Sequence, residues 1–410
     1  MINADHFRDS ARADGELARR LRTRSAELVP QLIEWRRYLH TIPELAFEEY
    51  ETAAFIVARL SEMGGFVIRE QVGGTGVVAD LQVGQAPKIL LRADMDALPV
   101  TEVNEENWAS RNLGLMHACG HDAHMAMLLG AARLLSELVN EGYDDLNVRL
   151  LFQPAEEAAG PDGVSGALRT IEDGALADVD ASLAMHVEPA HELGVVRLGS
   201  GYVMASVDTF TGVIRGVGGH AARPEETVDP FWLLTPVLSA IQGIVGRRIS
   251  PLESAVVSLC HVMGGDIGNV IPSDVMLEGT MRSFRPEVRE RLYQELEAAF
   301  DLARDLGGEV DLDIRAESPP LYNDEGVRAK LLTAIASLEL GDQILDGPYG
   351  LMGEDFAEFA ARVPSAMVML GCAPEVGAAS LHSPTFGIDE RVLERGAALL
   401  AFGSATVGRL

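Results

Sequence analysis

Thiol, imidazole and carboxylate side chains recur along this sequence at points where an apolar stretch gives way to a polar one. One such residue alone is best explained as a hydrogen-bonded polar residue at the end of a strand. The whole set is harder to explain in this way, because five separate strand ends would leave a cluster of unpaired polar atoms unless a cation organised them. We therefore predict a metal site. Its candidate residues are Asp94, Asp96, Cys119, His121, Glu156, Glu157, His186 and His382.

Two of these candidates, Glu156 and Glu157, are adjacent in the sequence. Neighbouring carboxylates at a buried strand end repel each other unless a metal neutralises one of them or their tasks differ. A metal ligand beside a general base meets that requirement. A bound metal lowers the pKa of its water to about 7, and a neighbouring carboxylate can take the proton.

The stretch MHACGHDAHMAM holds the densest group of candidates. Cys119 and His121 are separated by one residue, so both can face one point in an extended or turn backbone. A continuous helix would not easily allow this. We therefore predict that residues from Cys119 to Asp122 form the loop before a helix, with Asp122 as the N-cap. His117 and His124 receive no role as ligands and are expected to support the structure around them.

Alternating strands and helices must position these residues. The strand patterns GVVADLQVG, KILLRADMDAL, NVRLLFQPAEE and ASLAMHVEP alternate with helical patterns such as AHMAMLLGAARLLSELVNEG. This order predicts an α/β fold, with a largely parallel central sheet flanked by helices. In such sheets, ligands bind at the carboxyl ends of the strands, which is where the candidate residues lie.

The pattern changes between residues 206 and 317. The strands VDTFTGVIRGVG, SAVVSLCHVMGG, SDVMLEGTMRSF and EVDLDIRAE and two long helices predict an inserted antiparallel α+β domain. We assign residues 1–205 and 318–410 to the metal-binding catalytic domain and residues 206–317 to the inserted domain. Within it, His220 follows two glycines in GVGGHAARPEETVDP and is expected on an exposed loop.

Composition limits the class of protein. The formal net charge of −29 disfavours nucleic acid and anionic membranes as partners, because like charges repel phosphate. No apolar run approaches the roughly 20 residues that span a bilayer, and the charged N-terminus shows no secretory signal. The odd set of three cysteines, Cys119, Cys260 and Cys372, argues against a disulfide framework. We therefore expect a cytoplasmic protein.

Ten segments of the sequence resemble, in order, those of a known family. They are RRYLHTIPELAFEEYETA, LRADMDALPV, MHACGHDAHMAMLLGAA, LLFQPAEE, MHVEP, GGHAARPEETVDP, NVIPSD, GTMRSF, MGEDFAEF and LHSPTFGIDE. Together they resemble the metal-dependent N-acyl-amino-acid amidohydrolases of the hippurate hydrolase and auxin-conjugate hydrolase type, relatives of aminoacylases and carboxypeptidases. The resemblance runs from about residue 31 to residue 390. The segment ENWASRNLGLMHACG lacks the proline-glycine usual there, which concerns only the shape of that loop.

The resemblance implies a site for two divalent metal ions with Glu156 as the general base. Thiolate and imidazole ligands admit zinc, manganese, cobalt or nickel. The metal ligands that the resemblance implies are Cys119, His121, Glu157, His186 and His382.

The resemblance also implies roles for residues outside the ligand set. Asp96 would orient a ligating histidine, and His220 would bind the oxyanion, in related enzymes from the partner subunit. Asn269 and Arg282 would contact the substrate, and a guanidinium such as that of Arg282 suits bidentate binding of a carboxylate. The inserted domain would be a lid that also dimerises, so we expect a homodimer.

The implied function is hydrolysis of the amide bond of an N-acyl amino acid to a carboxylic acid and a free amino acid. A dipeptidase or carboxypeptidase acting on short peptides stays open as an alternative, because pocket-lining residues are scattered along the chain. A non-catalytic protein that binds metal or amino acids is a second alternative. The presence of Glu156 and His220 argues against it.

Overall fold

The structure, a computed structural model, describes residues 4–409, with side chains described from residue 14 onward. Residues 1–3 and Leu410, which belong to the predicted catalytic domain, lie outside the described residues. Two compact units are present. Unit 1 runs to Gly201 and continues over Tyr322–Gly347 and from Glu358 onward, whereas unit 2 comprises Tyr202–Leu321 and Pro348–Ala357. The domain boundaries predicted at 205/206 and 317/318 stay a prediction.

Helices account for much of the described chain. They are α1 (Ala4–Thr41), α2 (Tyr50–Met63), α3 (His121–Asn140), α4 (Gly166–Glu172), α5 (Pro230–Arg248), α6 (Pro286–Asp305), α7 (Glu325–Leu338), α8 (Ala357–Ala360) and α9 (Val392–Val407), with a 3-10 turn at Pro224–Glu226. Between residues 4 and 409, none of these helices has both the length and the apolar character needed to cross a membrane.

The strands lie between these helices. They are β1 (Val67–Val72), β2 (Gly76–Val83), β3 (Ile89–Asp94), β4 (Leu146–Gln153), β5 (Ala181–Glu192), β6 (Val195–Arg197), β7 (Gly201–Met204), β8 (Val207–Arg215), β9 (Gly219–His220), β10 (Ala255–Met263), β11 (Val270–Ile271), β12 (Asp274–Ser283), β13 (Glu309–Ser318), β14 (Leu321–Asn323), β15 (Gln343–Leu345) and β16 (Ser365–Ala373).

Unit 1 is built on an eight-stranded sheet in the order β1-β2-β4-β3-β5-β16-β6-β15. The four central strands β4, β3, β5 and β16 are parallel to one another. β1 pairs antiparallel with β2, as β2 does with β4 and β6 with β16. The predicted α/β fold with a largely parallel central sheet is confirmed, although antiparallel strands extend it on both sides.

Burial explains why the central strands are apolar without alternation. Every residue of β3 and of β16 is buried, as expected for parallel strands covered on both faces. Helices α3 and α9 pack against β3 and β5, and α1 and α7 pack against α9. Because β3 ends at Asp94 and its register partner on β4 is Gln153, the segments that follow these two strands begin side by side.

Unit 2 contains an antiparallel four-stranded sheet in the order β10-β12-β8-β13. Residues of β8 and β12 alternate between buried and partly exposed positions, which is typical of an antiparallel sheet with one face on the core. Helices α5 and α6 supply the apolar side of that core. The α+β character predicted for this segment is confirmed.

Candidate active site

The carboxyl edge of the parallel strands gathers the predicted residues of unit 1. Asp94 ends β3, the glutamate pair follows β4, and His186 lies in β5. His382 lies on the loop after β16 and has a positive φ of 63°. The ligand atoms of three overlapping groups lie within 4.8 Å of one another in each group. These groups are Cys119, His121 and His186; Cys119, Glu157 and His382; and His121, Glu156 and Glu157.

A left-handed glycine allows Cys119 and His121 to face one point. Gly120 is the N-cap of α3 and has a φ of 87°. A Cβ atom there would lie 2.4 Å from Val187 Cγ2, so both the conformation and the space require glycine. Helix α3 begins at His121, so the prediction that His121 and Asp122 lie in a loop before the helix was wrong.

The prediction that Asp122 is the N-cap of α3 was also wrong. Asp122 lies in the first helical turn and is fully buried. Its Oδ2 lies 2.8 Å from Arg36 Nε and 2.7 Å from His40 Nδ1. Burial alone would raise the pKa of Asp122, but the charges of Arg36 and His40 hold it well below its usual range. Asp122 therefore anchors the start of α3 to α1.

Hydrogen bonds to backbone carbonyls orient two of the predicted ligands. His121 Nδ1 lies 2.8 Å from the Asp96 carbonyl oxygen, and His186 Nδ1 lies 2.7 Å from that of Val187. A carbonyl oxygen only accepts, so Nδ1 of each ring carries a proton, and in the neutral form of each ring Nε2 can offer its lone pair. His121 Nε2 is buried and has no hydrogen-bond partner among residues 14–409.

The thiol of Cys119 lies between two imidazoles. Its Sγ is 3.5 Å from His186 Nε2 and 3.3 Å from His382 Nε2. Glu157 Oε1 completes the group at 3.3 Å from His382 Nε2 and 3.8 Å from His121 Nε2. Sulfur, nitrogen and oxygen donors that converge over such short distances are a typical ligand set for a first-row divalent metal.

The electrostatics of these groups also favour a cation. Burial raises the pKa of the Cys119 thiol well above its usual range, and the charge of Glu157 raises it further. Burial opposes a charge on His121, yet the carboxylates of Asp94 and Asp96 raise the pKa of this ring to about 10. Burial lowers the pKa of His186 to about 3, so this ring is neutral.

The residues present therefore fit a divalent metal. A cation would take the place of the proton that the carboxylates favour on His121, and it would stabilise Cys119 as a thiolate. It would also give the buried, unpaired Nε2 of His121 a partner. A thiolate together with imidazoles admits zinc, manganese, cobalt or nickel.

Asp96 holds the backbone of the glutamate pair. Its Oδ1 accepts a hydrogen bond from Glu156 N at 3.0 Å, and its Oδ2 accepts one from Glu157 N at 2.9 Å. The resemblance implied that Asp96 orients a ligating histidine. The structure shows that its backbone carbonyl contacts His121 Nδ1 at 2.8 Å, while its carboxylate lies 3.5 Å from the same atom. Asp96 thus connects a histidine to both glutamates.

A second buried network surrounds Asp94. Arg92 Nη1 donates to Asp94 Oδ2 at 2.6 Å, and His124 Nδ1 lies 2.6 Å from Asp94 Oδ1. Val187 N donates to His124 Nε2 at 3.0 Å, so both nitrogens of His124 are used within the protein. His124 therefore supports the strand that carries His186. In the sequence, the only indication of such a role is that His124 follows His121 by three residues on α3. Its partners, Asp94 and Val187 N, become evident only in the folded structure.

His117 remains a buried ring beside this site. Its two nitrogens have no hydrogen-bond partner among the side chains that the structure describes. Burial lowers its pKa to about 3, so the ring is neutral. Its ring centroid lies 6.4 Å from that of His40. The expectation of a supporting rather than a ligating position is consistent with this placement.

Unit 2 carries the remaining predicted residues. His220 on β9 is exposed and is the register partner of Val270 on β11, and Ala221 N donates to the carbonyl oxygen of Asn269 at 3.2 Å. The structure thus brings His220 and Asn269 close together. Ala222 N donates to His220 Nδ1 at 3.0 Å, so Nε2 of the neutral ring carries the proton and can act as a donor.

Arg282 lies on β12, in the four-stranded sheet of unit 2. Its Nη1 donates to the carbonyl oxygens of Met281, at 2.9 Å, and Asp208, at 3.4 Å, and it contacts Thr280 Oγ1. No carboxylate within 4.0 Å forms an ion pair with Arg282 among the described side chains. A half-buried guanidinium held by neutral acceptors keeps charge available for an anion.

Donor side chains that fit a divalent metal lie at the carboxyl edge of a largely parallel α/β sheet, which is the arrangement of a metalloprotein, and comparison with known proteins identifies the family. Residues 90–402 match the model of Peptidase family M20/M25/M40. The chain therefore belongs to this family. It is an amidohydrolase or metallopeptidase, which confirms the predicted resemblance and enzyme class.

Relatives in several organisms share most of the chain. It is 41% identical over 374 residues to N-acetyl-L-cysteine deacetylase of Bacillus subtilis, covering 89% of this chain and 85% of that protein. It is 37% identical over 384 residues to IAA-amino acid hydrolase ILR1-like 2 of Arabidopsis thaliana, covering 92% and 85%. A crystal structure of a Bacillus subtilis protein, described as a dinuclear metal-binding peptidase of the M20 family, superposes with a TM-score of 0.79 at 32% identity, covering 92% and 98%.

Proposed function

We propose that this protein hydrolyses the amide bond of N-acyl amino acids and releases a carboxylic acid and a free amino acid. The observation that carries the proposal is the pair Glu156 and Glu157, whose backbone N–H groups are both held by the carboxylate of Asp96. This arrangement fixes one carboxylate beside Cys119 and His382 and leaves an adjacent one to move protons. Relatives named as a deacetylase of N-acetyl-L-cysteine and as a hydrolase of IAA-amino acids support this substrate class.

The proposed cofactor is a pair of divalent metal ions. When bound, the metals would supply Lewis-acid activation of the attacking water and of the acyl carbonyl. The donor set admits zinc, manganese, cobalt or nickel. The residues proposed to hold the metals are Cys119, His121, Glu157, His186 and His382.

Glu156 is the proposed general base and acid. It takes a proton from water as the water oxygen adds to the acyl carbonyl carbon. It then gives this proton to the amide nitrogen as the C–N bond breaks, so the amine leaves as a neutral group. Glu156 thereby returns to its carboxylate form for the next turnover.

Residues of unit 2 are proposed to bind the substrate. The Nε2–H of His220 would donate a hydrogen bond to the oxyanion, which lowers the energy of the tetrahedral intermediate. Arg282 would bind the carboxylate of the amino-acid part, and Asn269 would contact the substrate beside His220. We further propose a homodimer in which His220 is supplied by the partner subunit.

Replacing Glu156 by glutamine tests the proposal. The amide cannot take the proton, so we expect kcat to fall by a factor of about 10²–10⁴. Metal content should stay at the level of the unmodified protein, because Glu156 is not a proposed ligand. Elemental analysis and turnover of hippurate and N-acetyl amino acids measure the two quantities. Near-native turnover with metal bound would show that Glu156 is not the base.

A separate experiment tests whether His220 is supplied by the partner subunit. We expect His220→Ala and Glu156→Gln chains to be inactive when each is purified alone. Mixed dimers would contain one site with an intact Glu156 and an intact His220 from the other chain. Recovery of part of the activity on mixing supports donation across subunits, whereas no recovery in verified mixed dimers argues against it.

Peptide hydrolysis is the second candidate. The observation that favours it is 34% identity over 395 residues to thermostable carboxypeptidase 2 of Saccharolobus solfataricus. A panel of hippurate, N-acetyl amino acids, indole-acetyl amino acids and dipeptides, each with manganese, zinc, cobalt or nickel, separates the two. We expect higher kcat/KM for the N-acyl amino acids than for dipeptides. The reverse ranking would assign the protein to the peptidases.

A further inference from the structure

Three consecutive backbone N–H groups lead into the glutamate pair, and two carboxyl groups from distant segments accept all three. Asp96 accepts from Glu156 N and Glu157 N. Glu49, which lies just before α2, accepts from Ala155 N through Oε1 at 2.9 Å. The turn after β4 is therefore held by side chains rather than by regular secondary structure.

Ala155 has an unusual backbone conformation. Its φ is 51°, in the left-handed region that L residues disfavour. The start of α4 also restricts this turn. Gly166 N donates to Ala155 O at 3.0 Å. The two segments pack so closely that a Cβ atom on Gly166 would lie 1.6 Å from Pro154 O. Such conformations persist only where the surrounding structure holds them.

Glu49 is a buried acid that the proposed reaction does not use. Its side chain is fully buried and makes no cap hydrogen bond to α2. Besides Ala155 N, it contacts the hydroxyl of Thr75. No arginine, lysine or histidine forms an ion pair with it among residues 14–409. Burial and the charge of Asp96 raise its pKa to about 7.

We propose that Glu49 is a positioning residue that holds Ala155 in its left-handed conformation and thereby aims Glu156 at the reacting atoms. The inference rests on the proposed role of Glu156 as the base. Without the acceptor at Ala155 N, the turn can relax toward a negative φ. The hydrogen bonds from Asp96 keep Glu157 near the other ligands, so the displacement falls mainly on Glu156.

The first test replaces Glu49 by alanine. Small misplacements of a catalytic group cost up to about 100-fold in rate, so we expect kcat to fall by about 10- to 100-fold with KM within about twofold. Glu49→Gln keeps an oxygen that can accept from Ala155 N, so it should retain most of kcat. Glu49→Asp keeps the charge but shortens the side chain, and should resemble Glu49→Ala. The Asp and Gln variants decide the question if Glu49→Ala does not fold.

A rescue variant separates positioning from a general loss of packing. Glycine takes a positive φ without a Cβ penalty. Adding Ala155→Gly to Glu49→Ala should therefore restore part of kcat, and Ala155→Gly alone serves as the matched control. A merely structural role of Glu49 predicts no rescue, because Ala155→Gly fills no space left by the missing carboxyl group.

Amide hydrogen exchange of the full chain provides a measurement independent of turnover. We expect exchange at Ala155 N to accelerate in Glu49→Ala and to stay slow in Glu49→Gln. Unchanged kcat and unchanged exchange in Glu49→Ala, or equal losses in the Gln and Ala variants without rescue by glycine, would overturn the inference. If Glu156→Gln alone kept full turnover, the proposed role of Glu156 as the base would fail, while the exchange result could still show that Glu49 holds the turn.

Discussion

The carboxyl edge of the sheet in unit 1 and the predicted substrate residues of unit 2 differ in burial. Cys119, His121 and His186 are buried, as are Asp94 and Asp96 beside His121, whereas His382 at the same site is exposed. His220 and Asn269 are exposed. A buried polar group requires a partner, whereas water can satisfy an exposed one. Polar residue types at buried positions of unit 1 therefore indicate a functional site. The same residue types at exposed positions of unit 2 do not, because water can satisfy them.

The same contrast applies to ion pairs. Arg36 and Asp122 in unit 1 have fully buried side chains. The pair formed by Arg315 and Asp313 in unit 2 leaves 76% and 60% of the two side chains exposed. Removing one partner of a buried pair leaves an uncompensated charge, whereas exposed pairs contribute little.

The largest expected effect follows from this difference. Arg36→Met should lower the free energy of unfolding by about 3–5 kcal/mol, because it leaves Asp122 buried without its guanidinium. The matched control Arg315→Met should change it by less than about 0.5 kcal/mol. Urea denaturation of both variants measures this. If both variants lost a similar free energy of unfolding, the buried ion pair of unit 1 would contribute no more to stability than the exposed pair of unit 2.

A smaller effect should depend on pH. Burial raises the pKa of Glu49 from 4.5 to about 7, so between these values the folded protein binds more protons at this position than the unfolded chain. The stability of the metal-free protein should therefore fall as pH rises through this window, relative to Glu49→Gln, which cannot titrate there. At about 1.4 kcal/mol per pKa unit, the relative change is on the order of 3 kcal/mol. A difference between the two proteins that does not vary with pH would contradict the shift.

The smallest expected effect concerns Arg282. Arg282→Ala should raise KM for N-acyl amino acids by about tenfold, or about 1.4 kcal/mol, with a smaller change in kcat. Arg282→Lys keeps the charge but loses the planar fork of the guanidinium, so its KM should lie between those of the unmodified protein and Arg282→Ala. Esterified substrates, which lack the free carboxylate, should show no difference among the three proteins. Equal sensitivity of the ester would show that Arg282 does not bind the carboxylate.

Local patterns predicted the fold where they were strong. The buried strands β3, β4 and β5 are apolar, and the helices and strands of unit 2 follow clear periodicities. β1 was not predicted because most of its residues are exposed, and β6 and β15 were missed because each has only three residues. The start of α3 was misplaced because the left-handed Gly120, not Asp122, ends the preceding turn.

The sequence by itself determined the α/β class and the types of side chain at the carboxyl edge of the sheet, because hydrophobic periodicity and residue chemistry are local properties. Only the tertiary structure showed that Asp96 holds both glutamates, that Glu49 reaches Ala155 and that His124 serves Asp94. These contacts join segments far apart in the chain, and a buried hydrogen bond between such segments has no periodic signal in the sequence.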